Sequence, residues 1–346
     1  MIGELKTAEP VYFYLPDYER FDQIDELDPF EAWQEMPRGE GFWILQTYCL
    51  LRHFGVAVQK CRELPKRGIV VFHRHNRRQL FSQPIGKFKE LILVGCRGDL
   101  HDLLVSDFEL LQNSYFADGK RRFHMPHWPM PGIIPRDVQR KTEIKRIAFL
   151  GFAAQLHPDF QSKEWREFLE HRGIEWVQNS VSYSRKKGES IKHSDWADYS
   201  TFDLVVAVRP ERNDLHTNKP ALKLYNAWIA GVPSLLGPEI AYREAGVSGE
   251  DYIEVQSLED AKQAIDRLIQ DPNLYSRLIS NGRKKADRYS HESVAKAWVH
   301  FFNKTLSDQI PERKRQFSYK LSRRIPFSLQ YKLVYAWKWL LRKRMR

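Results

Sequence analysis

The sequence predicts an α/β protein with two doubly wound domains and a basic tail. Short apolar runs that are typical of parallel strands alternate with helical segments in both halves of the chain. A proline-dense connector, from Arg121 to Asp137, separates the two halves. Residues 313–346 carry 12 Lys and Arg but no Asp or Glu, which marks a separate C-terminal segment.

The composition fits two domains with sizeable cores, because 346 residues contain 42% hydrophobic side chains. Cys49, Cys61 and Cys96 form no CxxC pair, so neither a disulfide framework nor a zinc cluster is indicated. The first ten residues lack the apolar core of a signal peptide, and no run of 18 apolar residues occurs. We therefore expect a protein of a reducing compartment that is not exported by that route and does not span a membrane.

The net charge of +11 belongs to the tail. Without residues 313–346, the 55 Lys and Arg fall to 43, against 44 Asp and Glu. A nearly neutral body gives no support to nucleic-acid binding by the folded part of the chain.

The first half opens with a predicted strand–helix–strand unit. Val11 to Leu15 reads as a strand, Phe42 to Phe54 as an apolar helix, and Val56 to Val58 as the next strand. Gly39 and Gly41 lie in the loop before the helix. Glycines at such a connection let the backbone approach a ligand closely, although a two-glycine turn is common.

Two further strands are predicted at Ile69 to Phe72 and Leu91 to Val94. The first ends at His73 and His75, and the second is followed by Asp99. These polar ends share one edge of a parallel sheet, where ligands of open α/β sheets bind. After them, residues 101–115 are predicted to form a helix and a strand edge.

The second half repeats the alternation of strands and helices. The predicted strands are Arg146 to Leu150, Ile174 to Val177, Asp203 to Val208, Val232 to Leu236 and Tyr252 to Val255. The predicted helices are Glu164 to His171, Asn218 to Gly231, Ser257 to Ile269, Pro272 to Ala286 and His291 to Phe302.

The helix from Asn218 is central to the functional interpretation. Asn218 is a suitable N-cap, Pro220 suits the first turn, and Gly231 is expected to end the helix. Lys219 would then stand at a helix N-terminus, where free N–H groups and the macrodipole favour an anion. This arrangement predicts a phosphate site, and the alternative is a solvated lysine.

This region resembles the second domain of GT-B glycosyltransferases. The family pattern there reads roughly K-L-x-E-A-x-A-x-G-x-P, and this chain has KLYNAWIAGVP from Lys223 to Pro233. The resemblance covers residues 146–302 and extends weakly to 11–135. It implies two Rossmann-like domains facing each other across a cleft. Residues 1–135 would form the acceptor side, 136–312 would bind the nucleotide-sugar, and 313–346 would be an amphipathic tail.

The resemblance also implies roles for individual residues. Lys219 would neutralise a diphosphate, and Asn226 would take the ribose-facing position. The family often has paired glutamates at the spacing of Asn218 and Asn226, so the two amides are a departure from the pattern. Arg209, at the end of a strand, is the expected second cation. Its alternative is a structural ion pair with Asp203 or Glu211.

The implied reaction transfers a sugar from a UDP- or GDP-linked donor to an acceptor hydroxyl, without metal or other cofactor. The acceptor would be a glycan or a lipid-linked glycan in polysaccharide or glycolipid synthesis. Either His73 or His75 would contact the transferred sugar or act as base. Asp17, Glu40 and Asp99 are competing carboxylates, and retention or inversion is left open.

The tail carries an aromatic and basic segment from Tyr331 to Leu341, followed by Arg342 to Arg346. Such a helix suits the interface of an anionic membrane, and the alternative is that it packs on the first domain. We therefore expect a cytoplasmic enzyme that is peripheral at the inner membrane face. The rival interpretations are an inactive GT-B-like scaffold and, less favoured, nucleic-acid binding through the tail.

Overall fold

The computed structural model describes residues 2–36, 39–99, 106–181, 196–211 and 216–316, together with Leu329, Lys332 and Ala336. The chain divides into two compact units. The first contains the described residues up to Met125 and those from Ala295 onward, and the second runs from Pro126 to Val294. The predicted boundary at residue 135 lies within the second unit, and the predicted end of that domain at residue 312 lies within the first.

The first unit is built on a six-stranded sheet in which all neighbouring strands are parallel. Its strands are β1 (Val11–Tyr14), β2 (Gln59–Cys61), β3 (Arg67–His73), β4 (Glu90–Cys96), β5 (Phe108–Leu111) and β6 (Arg122–His124). Their order is β2-β1-β3-β4-β5-β6, so the direction of winding reverses next to β1. The carboxyl ends of β1 and β3 therefore form a topological switch point.

Two helical regions follow strands of this sheet. Five π-helical residues, Gly41–Leu45, continue into α1 (Gln46–His53), and α2 (Arg77–Ser82) follows β3. The apolar helix predicted from Phe42 is confirmed. Its π-helical start is not visible in the hydrophobic pattern.

One predicted strand of the first unit is wrong. Val56 and Val58 are buried, but they precede β2. The Val56 N–H donates to the carbonyl oxygen of Leu51, which closes the preceding helix rather than pairing with a strand. The alternation of apolar residues at Val56 and Val58 arises from their burial, and these residues do not pair with a neighbouring strand. Strand β6 and helix α2 were not predicted, and residues 101–105 of the segment predicted at 101–115 lie outside the described part.

The second unit contains a five-stranded sheet, again parallel at every pair. Its strands are β7 (Arg146–Phe152), β8 (Glu175–Val181), β9 (Leu204–Ala207), β10 (Ser234–Leu236) and β11 (Ile253–Glu254). Their order is β11-β10-β9-β7-β8, so the switch point lies between β7 and β9. All five were predicted, with small differences at their ends.

Five α-helices lie within the described part of the second unit. They are α3 (Lys163–Glu170), α4 (Leu222–Ala230), α5 (Ile240–Ala245), α6 (Leu258–Gln270) and α7 (Pro272–Ala286), and α8 (His291–His300) follows them. Helix α6 has the predicted cap, because the Ser257 side chain accepts from the Asp260 N–H. The residues predicted for its apolar face are all buried: Leu258, Ala261, Ala264, Ile265 and Leu268.

The chain returns to the first unit within α8. Phe301–Leu306 is π-helical, and α9 (Ser307–Arg315) follows it. The fully buried Trp298 ring lies 6.0 Å from the ring of Phe13 on β1. Packing against the first sheet therefore explains why these C-terminal residues belong to the first unit. The predicted fold class, two parallel α/β units with C-terminal helices, is confirmed.

Candidate functional site

Helix α4 begins at Leu222, later than the sequence predicts, and Ala221 is its N-cap. The predicted Asn218 cap is therefore wrong. The Lys219 N–H donates to the carbonyl oxygen of His216 at 2.9 Å, which closes a separate turn before the helix. Pro220, which as a proline has no N–H to donate, lies before the helix and not in its first turn. Lys219 thus precedes the helix N-terminus by three residues.

The predicted end of α4 is confirmed. Gly231 adopts a left-handed conformation with φ of 70°, and its N–H donates to carbonyl oxygens of the last turn. A glycine is favoured in this conformation because it has no Cβ.

Arg209 follows β9 at the switch point of the second sheet. Its Nη1 donates to both carboxylate oxygens of Glu239, at 2.6 and 2.8 Å, and its Nε donates to Gln155 Oε1 at 3.2 Å. Burial disfavours the charged form, but the Glu239 carboxylate and Tyr242 hold the pKa of Arg209 above its usual value. The partner is thus Glu239, which follows β10 and which no pattern in the sequence indicated.

Asp203, one of the two partners considered for Arg209, is held elsewhere. Its carboxylate accepts from Arg136 at 2.8 Å and from Arg140 at 2.7 Å. The backbone N–H groups of Lys145 and Arg146 donate to the same carboxylate. These bonds lie at the amino ends of β7 and β9, at the opposite edge from Arg209. The ion pair between Asp203 and Arg209 that the sequence left open is therefore wrong.

Lys223 is a candidate that the sequence reasoning missed. Its Nζ donates to the carbonyl oxygen of Leu150 on β7 and lies 4.8 Å from the centroid of the Phe149 ring. Burial and then the positive charge of Arg209 lower the pKa of Lys223 to about 7. The signal was available, since Lys223 is the first residue of the motif that carries the family resemblance.

Three cations thus accompany one buried carboxylate in this region. The charges of Arg209, Lys219 and Glu239 all act on Lys223. Glu239 is 1% exposed, and its carboxylate is bound by Arg209. Arginine and lysine side chains near the carboxyl ends of parallel strands are suited to an anionic ligand.

The two asparagines have different surroundings. Asn226 is buried, and its Oδ1 accepts from the Met130 N–H at 3.0 Å. Its side chain also bonds the Tyr199 hydroxyl. Asn218 lies in the turn before α4. The ribose-facing position of Asn226 and the role of Asn218 remain predictions. The oxygen of Asn226 is occupied by the protein's own backbone.

His73 and His75 end β3 in opposite environments. His73 is 1% exposed, whereas His75 is exposed. Their ring centroids lie 4.6 Å apart, and Nδ1 of His73 accepts from the backbone N–H of His75 at 3.3 Å. The sequence left open which histidine faces inward, and the structure answers that it is His73.

His73 is held as a neutral imidazole. Burial, and next the neighbouring His75, lower the pKa of His73 to about 3. Since Nδ1 accepts a hydrogen bond, the ring hydrogen is on Nε2, and this atom has no hydrogen-bond partner among the described residues. A Cβ on Gly39 would lie 2.8 Å from Nε2, and one on Gly98 2.9 Å. The ring therefore packs against two glycines, both near Nε2.

The backbone of Met36 approaches residue 41 so closely that only a glycine fits there. A Cβ on Gly41 would lie 1.8 Å from the carbonyl oxygen of Met36, which cannot be relieved by a side-chain rotation. The neighbouring Glu40 is buried, and its Oε1 accepts from Asn76 Nδ2 at 2.6 Å. Gly39 and Gly41 thus shape the start of the helix, and their contact with ligand remains a prediction.

The other candidate carboxylates lie at the same edge. Asp99 is exposed after β4 and accepts from Gln112 Nε2 at 2.7 Å, and Gln112 Oε1 accepts from Trp43 Nε1 at 3.3 Å. Asp17 follows β1 and accepts from Gln79. Each carboxylate therefore has an amide partner from another segment.

Among the described residues, no group of three or more His, Cys, Asp or Glu is arranged to hold a metal ion. No helix of the described ranges is long and apolar enough to cross a bilayer. Residues 317–346, apart from Leu329, Lys332 and Ala336, lie outside those ranges, so the predicted tail helix is not described.

No protein-family model and no curated protein sequence matches this chain. Similar solved structures include a variant of TarM from S. aureus in complex with Fondaparinux, alpha-GlcNAc-glycerol and UDP, at a TM-score of 0.50 and 12% identity. That likeness covers 75% of this chain and 59% of TarM. Pneumococcal O-GlcNAc transferase GtfA, in complex with UDP and GlcNAc, has a TM-score of 0.49 and 12% identity over 76% of this chain and 60% of GtfA.

The chain thus spans about three fifths of the length of these two proteins. At such low identity the likeness to TarM concerns the fold. Together with the two parallel sheets and their orders, it shows that the chain has the fold of the GT-B glycosyltransferases.

Proposed function

We propose that this protein is a glycosyltransferase that moves a sugar from a nucleoside-diphosphate sugar to an acceptor hydroxyl. One observation carries the proposal: among the described residues, Arg209 and Lys219 accompany the buried carboxylate of Glu239 near the switch point of the second sheet. Arginine and lysine side chains at this edge of the sheet suit a diphosphate. The TarM structure of this fold contains UDP, which supports a uridine nucleotide as the first donor to test.

The chemistry would be displacement at the anomeric carbon, with the nucleoside diphosphate as leaving group. Negative charge develops on that leaving group in the transition state, and preorganised cations stabilise it. Arg209 is held rigidly by Glu239 and Gln155, so it would need little rearrangement on reaction. Because protein cations supply this charge, we infer that the transfer needs no metal ion.

His73 is better suited to donate a hydrogen bond than to accept a proton. Its imidazole is neutral at physiological pH, and its Nε2–H is the free donor among the described contacts. A group with such a depressed pKa is a weak base. We therefore infer that His73 donates to an oxygen of the transferred sugar, and that the acceptor is activated by another group.

The partners and location follow from the same proposal. The acceptor would be a glycan or a lipid-linked glycan, and the site of action would be the cytoplasm or the inner face of a membrane. The support for membrane contact is the sequence of residues 317–346, with its aromatic and basic side chains.

A second candidate function is a GT-B-like binding protein without catalysis. It is favoured by Asn226, whose side chain is neutral and is bonded to Met130 and Tyr199. Such a protein would bind a nucleotide and would leave the sugar untransferred.

Calorimetry of the full chain with UDP and with GDP tests the donor site. Binding should weaken in Lys219→Ala and stay unchanged in Lys284→Ala, an exposed lysine on α7 of the same unit. Absence of nucleotide binding at high protein concentration would reject the donor site. Product detection with a panel of nucleotide-sugars then separates the two candidates. Binding without transfer or hydrolysis would favour the non-catalytic protein.

A further inference from the structure

Lys223 joins two elements of the second unit that are far apart in sequence. It is the second residue of α4, and its Nζ donates to the Leu150 carbonyl oxygen near the end of β7. Burying an ammonium away from water is costly, and a lysine side chain on a helix can usually extend into water instead. The burial of Lys223 beside the carboxyl end of β7 therefore points to a function for its charge there.

The backbone of β7 is shaped to admit this ammonium. The backbone of Gly151 has φ of 153°, a conformation that residues other than glycine rarely adopt. A Cβ at residue 151 would lie 2.6 Å from Lys223 Nζ. The ammonium thus occupies space that any other residue at this position would fill.

The charged groups that act on Lys223 come from three neighbouring segments. Arg209 follows β9, Lys219 precedes α4, and Glu239 precedes α5. The Glu239 carboxylate is already bound by Arg209, whose Nη1 also contacts the Tyr242 hydroxyl at 3.4 Å. Lys223 therefore lacks a carboxylate of its own among the described residues.

The ammonium also has unused donors. A lysine carries three N–H groups. Leu150 supplies the one hydrogen-bond acceptor that the described residues offer to Lys223. Because the sheet reverses its winding between β7 and β9, this position is where a ligand of such a sheet binds.

We propose that Lys223 is a third cation of the diphosphate site and that it takes up a proton when the diphosphate binds. This inference rests on the proposed nucleotide-sugar function and adds a residue and a proton-linked step to it. In the ligand-free protein, burial and Arg209 hold the pKa of Lys223 near 7, so much of the amine is neutral at slightly alkaline pH. A bound diphosphate favours the ammonium, and affinity must then fall as the pH rises.

Titration calorimetry of the full chain with UDP-glucose and GDP-mannose tests this proposal. Both phosphates of these ligands are esterified, so the ligands themselves bind no proton near neutral pH. Titrations in buffers of different ionisation enthalpy at pH 7.5 count the protons taken up. We expect roughly half a proton or more for the wild type. Lys223→Met should take up none and should bind roughly tenfold more weakly or worse.

Lys262→Met is the matched control. Lys262 lies on α6 of the same unit, is also partly buried, and pairs with Glu164. It should keep the wild-type affinity and proton uptake. Lys223→Arg keeps a positive charge that does not titrate, so it should bind without proton uptake, and it serves if the methionine variant fails to fold.

The outcomes separate this inference from the proposed function. Wild-type affinity and proton uptake in Lys223→Met, or uptake that persists in Lys223→Arg, would overturn the role of Lys223 and leave the donor site in place. Failure of the wild type to bind either nucleotide-sugar would overturn the donor site, and the role of Lys223 with it.

Discussion

One nitrogen of Arg209 donates to both carboxylate oxygens of Glu239, at 2.6 and 2.8 Å. The pair is almost fully enclosed, with side-chain exposures of 10% and 1%. It connects the end of β9 to the residue before α5. Glu239 thereby fixes the direction of the guanidinium and also cancels part of its charge. Affinity for an anion and stability of the ligand-free protein therefore depend on this pair in opposite ways.

Glu239→Gln should lower stability and raise nucleotide affinity. The substitution leaves the buried guanidinium without a counter-charge, and breaking a buried ion pair costs about 3 kcal/mol. The same change increases the positive potential at the switch point, so UDP should bind several-fold more tightly, with a steeper dependence on salt. Chemical denaturation and calorimetry measure the two effects.

Glu254→Gln is the control for that substitution. Glu254 pairs with Arg243 at 2.6 Å in the same unit, but the arginine is 45% exposed. An exposed pair contributes little, so both stability and affinity should change only slightly. Weaker UDP binding in Glu239→Gln would show that Glu239 itself contacts the nucleotide.

His73→Asn should lower kcat by a similar factor at pH 5.5 and at pH 8. The pKa of His73 is lowered to about 3 by burial and by His75, so its protonation state does not change in this range. Steady-state rates with the best nucleotide-sugar measure the factor. His171→Asn, at an exposed position after α3, should leave the rates unchanged. A loss confined to the alkaline range would instead indicate a titrating base.

The same histidine should contribute to acid sensitivity of the first unit. In the unfolded chain it binds a proton near pH 6.5, whereas in the folded protein it does so near pH 3. The unfolded state therefore binds more protons between these values, and stability is lost as the pH falls through this window. Urea denaturation from pH 7 to pH 4 should show a shallower loss for His73→Asn. An unchanged slope would contradict the depressed pKa.

Gly41→Ala should disrupt the helical start of the first unit. The added methyl group would meet the Met36 carbonyl oxygen at 1.8 Å, and the backbone must shift to relieve the clash. We expect a loss of roughly 3 kcal/mol or more in the free energy of unfolding. Gly86→Ala is the control, because a Cβ there would have nothing within 4 Å. Equal stabilities of the two variants would contradict the described approach of Met36.

Removal of residues 317–346 should abolish sedimentation with anionic liposomes. The truncation keeps Arg313, whose Nε lies 3.5 Å from the buried Asp107 carboxylate, so the end of α9 stays anchored. The removed segment contains the aromatic and basic side chains predicted to contact lipid. Zwitterionic liposomes serve as the control surface. Unchanged sedimentation would reject the membrane role.

The sequence by itself determined most elements of the second unit. Helix α7 occupies the predicted residues, Pro272–Ala286, and the capping box of Ser257 begins α6 as expected. Helix caps, glycines at helix C-termini and helical periodicity depend on residues a few positions apart, so they can be recognised from the sequence. The polar ends of β3 and β9 were found for the same reason, since a strand and its following residue are contiguous.

Local patterns also set the limits of what could be found. The start of α4 was misplaced because the Asn218–Pro220 cap signal is matched equally well by a turn that ends before the helix. Val56 and Val58 show strand-like alternation, yet the Leu51 carbonyl takes the first of their N–H groups. In both cases a competing local hydrogen bond decided the outcome.

Tertiary structure alone decided which charges and rings meet. Glu239 reaches Arg209 from 30 residues away, and Lys223 reaches Leu150 from 73 residues away. The His73 ring likewise packs against Gly39 and Gly98, which are distant from it in the sequence, and it is buried, whereas His75 is exposed. Such partners are selected by the order in which strands lie in a sheet. Strand order depends on long-range pairing and burial, which the spacing of residues along the chain does not encode.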